Sequence, residues 1–144
     1  MQELQATKVE QVIDPVLLTS TDTASGTMDL LGSDYATIVI NNSIELNTNA
    51  TGPTFALTES DDLTTYVTFD SDFARATEDL TAAKPIRYDV DTRSRKRYLK
   101  LQINTPANTN EDITVAASVV LGQRGDLPTN TADMIESGGV VVIG

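Results

Sequence analysis

The chain has 144 residues, with 10 basic against 21 acidic side chains, a net charge of −11 and a pI near 4.2. It contains no Cys and no His, which excludes disulfides, thiol nucleophiles, zinc fingers, Ser-His-Asp triads and imidazole acid–base chemistry. An acidic surface repels phosphate backbones and anionic membranes, so neither nucleic acid nor membrane is expected as a partner.

Thr is the commonest residue, and period-two runs outnumber helical spacing. Residues 1–14 alternate poorly and stop at Pro15, so they are expected to form an N-terminal arm without a signal peptide. Strands are then predicted at Val16–Ser20, Thr27–Leu31 and Tyr35–Asn41, the last with Ile38 and Ile40 on one face and Val39 on the other. Thr54–Thr58 sets Phe55 and Leu57 together, and Thr64–Asp70 alternates through Val67 and Phe69. Phe73–Ala83 reads as a short helix or a loop. In the next strand Ile86, Tyr88 and Val90 alternate with Arg87 and Asp89.

The clearest strand is Arg97–Asn104, with Leu99, Leu101 and Ile103 on one side. Asp112–Leu121 follows, with Ile113, Val115, Ala117, Val119 and Leu121 as its apolar face. The turn-rich link 105–111 predicts that these two form a hairpin. Thr131–Glu136 fits one helical turn, and Gly139–Ile143 a last short strand. The spacers Asp22–Gly26, Gly32–Asp34, Asn47–Pro53 and Asp70–Asp72 are turn chemistry. This rhythm predicts an all-β antiparallel sandwich or jelly roll over residues 15–128. Residues 129–144 are expected as a C-terminal arm or edge strand, because Val140, Val141 and Val142 are hazardous unless a partner pairs with them.

Carboxylates cluster at Glu59-Ser60-Asp61-Asp62, Asp70-Ser71-Asp72 and Asp89-Val90-Asp91. Calcium ligation or a glycosidase pair are the functional readings. Solvated turns account for them better, and a salt bridge to Arg87 accounts for Asp89 and Asp91, so no metal, cofactor or catalytic residue is assigned. Half of the positive charge lies within eight residues, on Arg93, Arg95, Lys96, Arg97 and Lys100. Two readings stand open: a latch onto an acidic partner, favoured by arginine's paired bonds to carboxylates, or a charged turn that offsets self-repulsion. Arg124-Gly125-Asp126 and the two glycosylation sequons are assigned to chance.

Three stretches in order resemble small structural proteins from the head-gene regions of tailed bacteriophages, the capsid decoration or cement class. They are Met28-Asp29-Leu30-Leu31-Gly32 with the strand Tyr35–Asn41, then Phe55-Ala56-Leu57-Thr58-Glu59-Ser60-Asp61-Asp62, and Arg97-Tyr98-Leu99 with Val119-Val120-Leu121-Gly122. The resemblance spans residues 28–128. It implies no enzyme activity and no cofactor. It implies a homotrimer on the outside of the virion head that bridges and stabilises major capsid protein subunits. Arg93, Arg95, Lys96, Arg97 and Lys100, or the terminal Val140–Val142, would then grip the shell. A head–tail connector or tail component is the alternative within the virion. A carbohydrate-binding sandwich and a carboxylate-pair enzyme are alternatives outside it.

Overall fold

A computed structural model describes residues 7–42, 53–68, 85–105, 113–122 and 140–143. Nine strands follow in order: β1 (Thr7–Leu18), β2 (Thr23–Asp29), β3 (Tyr35–Asn42), β4 (Thr54–Ser60), β5 (Val67–Thr68), β6 (Ile86–Asp91), β7 (Tyr98–Asn104), β8 (Ile113–Gly122) and β9 (Val140–Ile143). They form two sheets, β1-β8-β3-β6-β9 and β2-β7-β4-β5, with every pairing antiparallel except β6–β9. The all-β sandwich expected from the alternation is therefore present.

Alternating side chains put apolar rows from β1–β4 and β6–β8 between the sheets. One sheet contributes Ala36, Ile38 and Ile40 from β3, Ile86, Tyr88 and Val90 from β6, and all five predicted residues of β8. The other contributes Met28, Phe55, Leu57, Leu99, Leu101 and Ile103. Each Val, Leu, Ile, Phe or Met side chain so removed from water is worth roughly 1.5–3 kcal/mol before ordering costs.

The predicted β7–β8 hairpin does not form. β7 lies between β2 and β4, whereas β8 lies between β1 and β3 in the opposite sheet. Both strands carry one apolar face, and alternation cannot tell a neighbour beside a strand from one across the core. The chain changes sheet at β1–β2, β2–β3, β3–β4, β5–β6, β6–β7 and β7–β8; β4–β5 is the one hairpin among the described strands.

Other expectations are corrected in the same way. Within the N-terminal arm expected at 1–14, β1 starts at Thr7, pairs with β8 and buries Ile13. Its alternation is hidden by register shifts between Gln11 and Ile13 and between Ile13 and Val16, around Pro15. The spacer Asp22–Gly26 is mostly the start of β2, where Gly26 lets the two sheets approach: a Cβ there would collide with the Val12 carbonyl. The strand expected over Thr64–Asp70 starts only at Val67, because Thr64 and Thr65 are bound into a turn, and its last two positions lie outside the described residues. Asp89, expected in a surface salt bridge with Arg87, does accept from Arg87 Nε at 3.1 Å but is only 5% exposed. The turn Gly32–Asp34 is as expected, with Gly32 at φ +80°. The readings for 73–83, 105–111 beyond Thr105, 123–139 and the sequon at Asn49 fall outside the described residues.

The sheet changes gather the connections at two ends. At one end, Thr105 Oγ1 donates to the Thr19 carbonyl at 2.5 Å and accepts from the Asp22 backbone N–H at 2.9 Å. Thr105 N–H donates to the Asp22 carbonyl at 2.9 Å, and the Asp22 carboxylate accepts from Thr19 N–H and Oγ1. These bonds hold Thr21 at φ +63°, a costly angle for a β-branched residue. The other end carries the charge.

Candidate functional site: a charged loop end

Three turns meet here: Leu30–Asp34 after β2, Asp61–Tyr66 after β4, and Thr92–Arg97 after β6. Backbone bonds lace them together. Leu30 N–H donates to the Arg97 carbonyl at 2.8 Å, Asp34 N–H to the Gly122 carbonyl at 2.8 Å, and Thr92 N–H to the Asp34 carbonyl at 3.0 Å. Thr92 Oγ1 donates to the Ser33 carbonyl at 2.7 Å. The Tyr35 ring covers Gly122, where any Cβ would collide with it.

The basic run threads through this frame and meets carboxylates. Arg97 binds Asp29 with two parallel bonds, Nε to Oδ1 at 3.0 Å and Nη2 to Oδ2 at 2.9 Å. Lys96 Nζ lies 2.5 Å from Asp61 Oδ2, and Lys96 N–H donates to Glu59 Oε2 at 3.1 Å. Arg93 pairs with Asp91 through Nη2 and, at 2.8 Å, through Nε. Arg95 lies in the same turn, half-buried and engaged in an interaction of its own. Lys100 stands on the outer face of β7 with its ammonium 4.9 Å above the Tyr66 ring. Thus Arg93, Arg95, Lys96, Arg97 and Lys100 are brought to one end and its adjoining face, and the charged-turn reading describes three of them directly. Val140, Val141 and Val142 lie elsewhere, on β9 beside β6.

The pairing shapes the local titration. The bond from Lys96 holds the Asp61 carboxyl below the ordinary range, and the bond from Arg97 does the same for Asp29. Asp62 is held far lower by the Thr65 and Thr64 backbone N–H groups, which donate to its Oδ1 at 2.7 and 2.9 Å, with Ser60 Oγ adding a third bond at 2.9 Å. The partners Lys96, Arg97 and Arg93 are raised by the same bonds. Asp89 and Asp91 do not act as a pair: Asp89 accepts from Thr37 Oγ1 at 2.7 Å and Arg87 Nε at 3.1 Å, while Asp91 serves Arg93. Among the described residues, no group of three acidic side chains stands close enough to hold a metal ion.

Two apolar residues at this end escaped the sequence reading. Leu31 is 72% exposed on the turn that Asp29 braces by accepting its N–H at 3.1 Å. Leu63 is 50% exposed at φ +62°, held there as Asp62 gathers the N–H groups on its far side. Arg97 joins the two turns, through its side chain to Asp29 and its N–H to Asp61 Oδ1 at 3.5 Å. The signal in the sequence was an apolar residue inside each turn motif, Leu31-Gly32 and Asp62-Leu63-Thr64.

The tyrosines offer little stacking surface. Tyr88 is buried in the core, Tyr35 lies on Gly122, Tyr66 faces Lys100, and Arg97 sits 4.9 Å above the Tyr98 ring.

No family model matches the sequence, and no curated protein matches it. Solved structures of similar shape include the CBM36-1 domain of a multidomain xylanase from the hindgut metagenome of Trinervitermes trinervoides, with a TM-score of 0.40 at 9% identity, covering 83% of this chain and 99% of that one. Another is a family GH115 4-O-methyl-α-glucuronidase with specificity for decorated arabinogalactans, with a TM-score of 0.42 at 10% identity, covering 85% of this chain and 17% of that one. Likeness at this level carries no argument about ligand or reaction.

Proposed function

We propose that the protein is a non-catalytic virion component that docks on the outer surface of a tailed-phage head, bridges neighbouring major capsid subunits and works as a homotrimer. The sequence resemblance motivates the reading, and the loop end supports it. Leu31 and Leu63 are apolar, exposed and carried on turns tied down by ion pairs and backbone bonds. Protein interfaces combine such preorganised apolar anchors with a polar rim.

Leu63 is the observation that carries most. A leucine at positive φ, half in water, costs the fold energy and adds little to the core. Its contribution is expected on a partner's surface. Binding of this kind stabilises a shell by mass action, since only the intact lattice presents the site. The test is to quantify this chain in purified particles. Hundreds of copies per head support the reading. About a dozen copies or fewer would point to a connector or tail component, and absence from particles would end it.

A further inference from the structure

The last strand gives a second, independent lead. β9 adds to the edge of β6 in parallel, with Arg87 beside Val140, Tyr88 beside Val141, Asp89 beside Val142 and Val90 beside Ile143. The path it must span is short. From Gly122 at the end of β8 to Val140, the chain crosses β3 and β6 and descends four residues, about 20 Å in all. Residues 123–139 connect the two strands, and seventeen residues extend to about 60 Å. The connection is roughly three times longer than its own sheet requires.

We propose that β9 is an exchangeable strand, and that in assembled copies Val140–Ile143 of one copy occupies the β6 edge of the next. The occupant is identified by the fold itself, because the β6 edge already takes this segment in this register. Within one chain the tether favours self-pairing. Where copies are crowded, pairing with a neighbour competes, since tethered strands see only a millimolar-scale effective concentration. Four residues at a sheet edge form a small unit that opens without unfolding the sandwich. Passing the strand head-to-tail around a ring closes a homo-oligomer, so the inference supplies a joint for the proposed trimer but does not depend on a capsid.

The absence of native Cys makes the test clean. Parallel neighbours lie at a spacing a disulfide can bridge. Two single variants, Arg87→Cys and Val140→Cys, are purified, mixed at about millimolar concentration and oxidised. The expected product is a disulfide joining one chain of each kind. No mixed product, while the Arg87→Cys/Val140→Cys double variant closes within single chains, overturns the proposal. Native mass spectrometry of the unmodified chain is the second readout. Oligomers that vanish in Val141→Pro, with the sandwich's circular dichroism retained, support exchange; a chain monomeric throughout, or oligomers untouched by Val141→Pro, overturns it. Either failure leaves shell binding by the loop end to be judged separately.

Discussion

The two ends of the sandwich are built from different chemistry. At one, Thr105 is buried and its hydroxyl satisfies backbone groups from residues 83 to 86 positions away. At the other, Arg93, Lys96 and Arg97 pair with Asp91, Asp61 and Asp29, and most of these side chains are well exposed. Buried hydrogen bonds are costly to break, because the partners are left unsatisfied. Exposed ion pairs contribute little to stability. The hydroxyl end therefore holds the fold, while the charged end spends its polar groups on fixing the shape of a surface.

The comparison breaks if the hydroxyl end proves soft. Thr105→Val is expected to cost about 2 kcal/mol, since Thr19 and Asp22 lose a buried partner. Urea denaturation, with an unchanged slope, measures it. The opposite sign is expected at the charged end. Leu63→Asn relieves a leucine held at φ +62° and should raise stability by about 1 kcal/mol on the same curves.

Acid sharpens the contrast. The carboxyls of Asp29, Asp61 and Asp62 are all lowered in the folded chain, as is Asp22, by its bonds from Thr19. A lowered folded pKa gives stability that is complete above the unfolded value near 4 and is lost as pH falls through the folded value. Thermal midpoints should thus be flat from pH 7 to about 5 and decline below about 4. Because three of these four carboxyls sit at the charged end, an Asp29→Asn/Asp61→Asn/Asp62→Asn variant should show a shallower acid decline. The smallest effect is expected from Lys96→Met. Its partner Asp61 is 63% exposed, so the thermal midpoint should stay within measurement error of the parent at low and high salt alike.

What was legible in the sequence follows the same division. Alternation in Arg97–Asn104 and Asp112–Leu121 identified eight core positions in strands whose buried faces are regular. It failed on β1, where two register shifts and Pro15 scramble the period. It also failed on sheet membership, because Leu101 and Val119 look alike whether their strands lie side by side or face to face. At the charged end, the Glu59–Asp62 and Arg93–Arg97 runs were both visible, yet their mutual neutralisation depends on a β4–β7 register that no local pattern encodes. Leu31 was absorbed into the predicted strand Thr27–Leu31 and Leu63 fell outside every predicted strand, since exposure of a lone apolar residue leaves no periodic signal. For Asp89 the bridge to Arg87 was legible but the burial was not, because a carboxylate on an outward strand position reads as solvated.

Binding by the charged end is open to direct measurement. Phage heads stripped of this chain are incubated with the parent and with a Leu31→Ser/Leu63→Asn variant, and bound protein is measured by co-sedimentation. The prediction is saturable binding of the parent and a loss of at least about tenfold in affinity for a variant that folds as stably as the parent, about 1.4 kcal/mol of lost contact. Equal binding of parent and variant, or no binding of the parent to any head, would contradict it.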